Sequence, residues 1–295
     1  MTPTRLGQAL DFHPNPNPTE VTLDDGTGTS HRWTWNSSTS AWTSPPGVHL
    51  YLQQLATCGP QTVNARAWSM TRPDGTVFYY DCEGYPIALV NHDGNETDFT
   101  YTDRASENKP EEFLTYITDP VGRQTLTVNY YTKGQSYSYI DSNGVLQAAS
   151  NLTDPSIIDH VSSIVDIAGR TVDFYYTTNG LLARVVEGAG TSVAKTFNFT
   201  YDATQGMKNV KLIAVQDPRG DTTNIAYYPN SSPTKWWTQY ATDRLTNTTG
   251  FAYTQPGAIA GAATQTTVTD ASSHPYDLRS VAASREEGRI RVGGD

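Results

Sequence analysis

Apolar and polar residues alternate with a period of two along much of this chain, and clusters of Asp, Asn, Gly and Pro interrupt the alternation every few residues. Five positions past Gly94, Gly169 and Gly220 stand Phe99, Phe174 and Ile225; seven past them stand Tyr101, Tyr176 and Tyr227. Positions two apart on a strand point to one side, so each pair makes an apolar face. The copy after Gly122 slips by one residue and offers Val128 and Tyr130, a shift that a bulge can absorb. The return segments, Pro86 to Val90 and Leu181 to Val186, are apolar and β-branched, as strands prefer.

Two kinds of turn join these strands. The first is an apolar-x-Asp-x-x-Gly pattern, with Asp119 and Gly122, Asp166 and Gly169, and Asp217 and Gly220 in corresponding places. Asp can accept a hydrogen bond from the backbone two residues on, and Gly tolerates a positive φ, so these six residues have structural turn roles. The second kind follows a tyrosine-rich strand end: Asp81 to Gly84, Asp141 to Gly144 and Thr177 to Gly180, two of them carrying Asn-Gly. Asn-Gly between strand-like runs signals a tight hairpin. The pattern predicts an all-β protein of consecutive antiparallel β-hairpin repeats.

Around this middle the segmentation is as follows. Residues 1–20 read as an extended arm, with Pro14, Pro16 and Pro18 alternating with Asn. Residues 21–70 form a β region that contains tryptophans, in which the stretch from Leu50 to Ala56 suits a strand or a short helix. Residues 71–255 hold the hairpin repeats, with insertions near Asp103 to Phe113 and Leu146 to His160. Residues 256–295, rich in Ala, Gly and Thr and then charged, read as a flexible tail.

Composition narrows the class. Hydrophobic residues make up 37% and charged residues 17% of the 295, yet 18 Tyr, 8 Phe and 6 Trp supply large side chains to bury. The net charge of −10 repels phosphate backbones and excludes nucleic acid as a natural partner. No run approaches the roughly 18 apolar residues of a membrane span. Met1 to Phe12 has no cationic start followed by an apolar core, so an exported protein would carry its address outside this chain. The two cysteines, Cys58 and Cys82, can pair in an oxidising compartment, but their spacing does not decide it.

The stretch from Phe78 to Tyr101, FYYDCEGYPIALVNHDGNETDFTY, resembles one complete repeat of the Rhs/YD-repeat family with the start of its neighbour. The resemblance extends roughly from Thr71 to Tyr253. Asp25-Gly26 followed by Trp33, Trp35 and Trp42 resembles the region that precedes such repeats. It implies a sheet of hairpins wound into a hollow shell, of which this chain makes a curved, partial wall. In bacterial polymorphic toxins such shells enclose a C-terminal toxin domain; in animal teneurins they form an extracellular scaffold. The partners so implied are further YD repeats or a toxin domain of the same parent protein, and cell-surface glycans; the location is secreted or cell-surface. The chain departs from the family where Asp-Pro-x-Gly-Leu precedes the toxin, since Arg123 and Asp221 follow Gly122 and Gly220.

Chemistry is sparse. There is no Gly-x-Ser-x-Gly elbow, no His-Glu-x-x-His, no P-loop and no dinucleotide glycine motif, so the reading is not an enzyme and calls for no cofactor. Asp93, Asn95, Glu96 and Asp98 crowd oxygen atoms into one loop but lack the order of an EF-hand, and no metal is assigned. Carboxylate pairs such as Asp24 with Asp25, or Asp166 with Asp173, are the elements a glycosidase needs, although any acidic β protein offers them. The rival function is a carbohydrate-binding surface module. Its candidate platforms are Trp33 with Trp35 on one strand face, and the adjacent Trp236 and Trp237, which on a strand would face opposite sides.

Overall fold

In the computed structural model, residues 9–11, 18–24, 30–58, 66–106, 109–254 and 265–279 are described. Apart from one short 3-10 turn, Met207–Asn209, their regular elements are all strands. What shapes them is the turn. At Asp81, Asn91, Asp119, Asp141, Asp166, Thr177, Asp217, Asp243 and Asp270, one side-chain oxygen accepts the backbone N–H groups two and four residues on. The same residue donates its own N–H to the carbonyl four residues on, and its carbonyl accepts the N–H three residues on. The fourth residue then has a positive φ, as at Gly122 (80°), Gly169 (76°) and Gly220 (89°). This is a type I turn followed by a left-handed residue that forms a bulge.

The two kinds of turn distinguished in the sequence are therefore one geometry. In Asp141-Ser142-Asn143-Gly144 only Gly144 is left-handed, so Asn-Gly here does not mark a turn with two positive φ values. Arg123 and Arg170, at the fifth position, turn back and donate from Nε to Oδ2 of Asp119 and Asp166 at 2.8 and 2.6 Å.

The chain divides into two compact units, residues 1–129 with 164–170, and residues 130–163 with 171–295. In the first, β1 (Ala9–Asp11), β2 (Glu20–Asp24), β3 (Ser30–Asn36) and β4 (Ala41–Thr43) form an antiparallel sheet in chain order. The expected arm over residues 1–20 thus contributes a paired strand, β1, whose Leu10 stands opposite Leu23. A second run follows in antiparallel pairs: β5 (Tyr51–Gln54), β6 (Trp68–Thr71), β7 (Val77–Tyr80), β8 (Pro86–Val90), β9 (Glu96–Ser106), β10 (Lys109–Thr118) and β11 (Gln124–Tyr130). The stretch from Leu50 to Ala56 is thereby a strand. The irregular spacing at Asp103 to Phe113 is a lengthened β9–β10 hairpin, and a register shift between Ile117 and Thr118 absorbs the slip after Gly122. Trp33, Leu23, Val21, Trp68, Met70 and Tyr80 form the core of this unit, each at most 1% exposed. Cys58 and Cys82, with Cα atoms 5.3 Å apart, form a disulfide beside it. Closing a loop of this length constrains the unfolded chain by about 3 kcal/mol.

The second unit holds the hairpin β12 (Tyr137–Ile140) and β13 (Leu146–Ala149). Val161–Asp166 makes β14, which straddles the boundary between the units. Then come β15 (Thr171–Tyr176), β16 (Leu182–Glu187), β17 (Lys195–Asp202), β18 (Lys211–Gln216), β19 (Thr222–Tyr227), β20 (Thr238–Thr242), β21 (Thr248–Thr254), β22 (Gln265–Thr269) and β23 (Pro275–Arg279), each of β15–β23 antiparallel to the next. The strand runs are open rather than closed into a barrel. The insertion from Leu146 to His160 folds back so that Leu152 and Ile157, almost fully buried, pack with Tyr131 and Tyr176.

Beyond this small core the sheet is thin. Among the described residues of β17–β21 none is buried. Within the segment from 256 onward, read from the sequence as a flexible tail, residues 265–279 form β22 and β23, which continue the sheet with Val268 opposite Phe251 and Tyr276; the rest of that segment lies outside the described residues. Their turn, Asp270 to His274, escapes a glycine-based reading because Ser273 takes the left-handed position (φ 64°). Thr246 does the same in the Asp243 turn (φ 67°).

These turns are expected to respond to substitution in opposite directions. A Cβ at Gly122 meets nothing within 4 Å, so Gly122→Ala carries only the left-handed strain, about 1–2 kcal/mol. Gly180→Ala should cost more, since its Cβ would overlap the Ser156 carbonyl oxygen. Thr246→Gly should stabilise by up to about 1 kcal/mol, the relieved strain less the added backbone entropy of glycine. Urea unfolding followed by tryptophan fluorescence measures all three.

Candidate functional site

Tyrosines at strand ends tie neighbouring strands together. The hydroxyl of Tyr101 donates to the Pro86 carbonyl at 2.9 Å, Tyr176 to Val161 at 3.0 Å, Tyr201 to Leu182 at 2.8 Å and Tyr227 to Leu212 at 2.9 Å. Each acceptor is the first or second residue of a preceding strand. Register shifts fall immediately before Tyr176, Tyr201 and Tyr227, where the following strand carries one extra residue: Ala183, Ile213 and Gln239. Three of these are the tyrosines found seven residues past a turn glycine in the sequence. Burial pushes the Tyr176 phenol up to about 12.

One turn differs from the rest. Asp81 is fully buried beside Tyr80 and the disulfide; its Oδ1 accepts from Glu83 and Tyr85, while its Oδ2 is buried without a hydrogen-bond partner. Burial raises this carboxyl to about 6 against the backbone N–H groups of Tyr85, Glu83 and Gly84, which lower it. Two half-buried copies go the other way: the backbone N–H of Arg123 lowers Asp119, and the Arg170 side chain lowers Asp166.

The tryptophans proposed from the sequence as platforms have different fates. Trp33 is 0% exposed, with its indole N–H directed to Ser44 and the Leu50 carbonyl, and so offers no face to a ligand. Although Trp33 and Trp35 share a strand face, Trp35 lies at the rim and is 40% exposed. Trp236 and Trp237 are not on a strand; Trp236 is left-handed (φ 70°) in the bend before β20. The ammonium groups of Lys211 and Lys235 lie 5.2 and 4.9 Å from the Trp236 ring centre, and Trp237 packs edge-on against Tyr253 at 4.7 Å.

A cleft lies elsewhere, in the first unit. Trp35 meets Trp42 edge-on at 5.5 Å, and Trp42 meets the buried Trp68 edge-on at 5.5 Å. Beside them β5 presents Tyr51 and Gln53 outward and buries Leu52. Together with Ser40 and Thr71 they border a cleft of about 650 Å³. The sequence placed Trp35 and Trp42 in a β region that contains tryptophans, but nothing in it brought Tyr51 and Gln53 beside them.

The acidic candidates are committed elsewhere. Asp24 hydrogen-bonds with Ser30, and Glu96 pairs with Arg66; Asp25 lies outside the described residues. Burial raises Asp173. Among the described residues no three His, Cys, Asp or Glu side chains converge on a possible metal site.

The fold defines a class, an all-β hairpin-repeat protein. No family model and no curated protein matches the chain. Solved structures that are similar include a TcdB2–TccC3–Cdc42 crystal structure, at 12% identity and a TM-score of 0.40, matched over 88% of this chain and 15% of that one. The Photorhabdus luminescens Tc holotoxin pore carrying a TccC3 mutation is matched at 12% identity and a TM-score of 0.39, over 92% of this chain and 16% of that one. The chain thus spans less than a fifth of the length of either.

The buried turn carries a pH signature. Because the folded value of Asp81 lies above its unfolded value of 3.8, its contribution is complete below that value and is lost as pH rises through about 6. Asp119 and Asp166, shifted downward, lose theirs only as pH falls below the ordinary carboxylate range. Asp81→Asn keeps the Oδ1 acceptor, so it should gain stability on the wild type as pH goes from 5 to 8. Thermal melts of both proteins at the two pH values measure the difference.

Proposed function

We propose that this chain is a wall segment of an Rhs/YD-repeat shell, a secreted or cell-surface structure that encloses or displays another part of the same parent protein. The observation that carries the reading is the recurrence of one turn and one tyrosine contact along sheets that are mostly a single layer thick. Where a strand run leaves both faces half-exposed, the sheet itself is the product of folding, and a sheet of that kind separates two spaces. Further repeats and a C-terminal toxin domain are the natural partners. The similar solved structures are themselves toxin complexes, at values too low to add weight.

One further feature supports an extracellular setting. The Cys58–Cys82 disulfide suits an oxidising compartment. The charge of −10 disfavours nucleic acid, and no helix among the described residues is long and apolar enough to cross a membrane. The role is structural rather than catalytic.

The test is to express the whole reading frame that contains this chain and to follow limited proteolysis of whatever domain lies beyond the repeats. A walled-in domain should resist protease in the intact protein and become sensitive when Gly180→Ala and Asp119→Ala weaken the hairpins. Equal digestion rates for the intact and isolated domain, or a frame with no further hairpins, would overturn the proposal.

A further inference from the structure

We infer that the cleft bordered by Trp35, Trp42 and Tyr51 binds a neutral oligosaccharide. Its wall is unusual for this protein in three respects. The first is exposure of large side chains: Trp35 is 40% and Tyr51 60% exposed, and Leu55 beside them 44%. Scattered exposed apolar residues need no explanation, but three gathered in one concavity mark a contact surface. The second is charge. In a chain of net −10, no Asp, Glu, Lys, Arg or His among the described residues borders the cleft. A phosphate, a carboxylate or a cation would find no counter-charge there.

The third is the kind of polar group present. Gln53, Ser40 and Thr71 offer an amide and two hydroxyls, groups that donate and accept, beside the aromatic rings. A sugar ring needs this combination: an apolar C–H face to lie on an aromatic plane, and hydroxyls that exchange hydrogen bonds with neutral side chains. The cleft volume of about 650 Å³ is within the range of small-molecule sites.

The platform is also held in place. Trp35 is backed edge-on by Trp42, and Trp42 by Trp68 in the core, so the ring is positioned before any ligand arrives. On the other wall Tyr51 lies in register with Thr71 across the β5–β6 ladder. Preorganised rings lose little freedom on binding. This inference does not depend on the shell reading, because a free-standing module with the same cleft would bind the same ligand.

The experiment titrates the whole chain with maltohexaose, cellohexaose, chitohexaose, mannohexaose and galactohexaose, followed by tryptophan fluorescence and by calorimetry. At least one hexamer should give a saturable signal. Trp35→Ala and Tyr51→Ala should each weaken it at least tenfold, and Gln53→Ala severalfold, while Trp236→Phe leaves it unchanged. Thermal melts of the Trp35→Ala and Tyr51→Ala proteins should match wild type, which separates lost binding from lost folding. The inference is overturned if no hexamer binds at millimolar concentration, if binding survives Trp35→Ala, or if a polyuronate or an uncharged peptide binds more tightly than every neutral hexamer.

Discussion

The regular hairpins of this molecule depend on a side-chain oxygen that accepts two backbone N–H groups at the start of nine of the described turns. A hairpin turn leaves amides facing inward with no strand partner, and an unpaired amide is costly wherever water is restricted. Asp, Asn or Thr at the first position answers both amides at once, and the left-handed fourth residue sets the chain on its way back. Because the loop has a constant number of residues, each returning strand starts in the same phase. That constant phase is why a tyrosine seven residues past the turn glycine repeatedly meets the carbonyl at the start of a preceding strand.

A thin sheet has a thermodynamic consequence. With few side chains fully buried, hydrophobic burial cannot carry the structure alone. Ladder hydrogen bonds, tyrosine contacts and half-buried rows of Phe, Val and Ile share the load. Thickness appears in two places only among the described residues. In the first unit a small tryptophan-bearing sheet covers β5–β7 and a disulfide stands beside the packed residues. In the second, the segment between β13 and β14 supplies Leu152 and Ile157. Both look irregular in the sequence because they interrupt the repeat, and both provide what the repeat by itself lacks.

Asp81 shows what happens where the two arrangements overlap. The turn chemistry demands a carboxylate at that position, and the surrounding core of Trp68, Tyr80 and the disulfide removes it from water. The same residue type thus has its proton affinity raised here and lowered at Asp119, Asp141 and Asp243. Trp33 and Trp35 are a parallel case: they share one strand face, yet one is sealed by the neighbouring sheet and the other stands at its rim.

Local rules made the hairpins legible from the sequence. Period-two alternation, Asp and Gly three residues apart, and the tyrosine spacing each report a geometry settled within about ten residues, and so they identified the all-β fold and the middle repeats. They failed where a residue departed from type: Thr246 and Ser273 occupy positions that glycine usually takes, which hid the last two turns and made β22 and β23 read as tail. Burial was beyond them altogether. Whether a tryptophan is a core residue or a platform, whether Asp81 is solvated, and which side chains border the cleft depend on what is packed against each strand. Those contacts join residues far apart in the chain, as when Trp42 meets Trp68, and no local pattern encodes the partner. The sequence by itself determined the turns and the faces; only the tertiary structure decided which faces are covered.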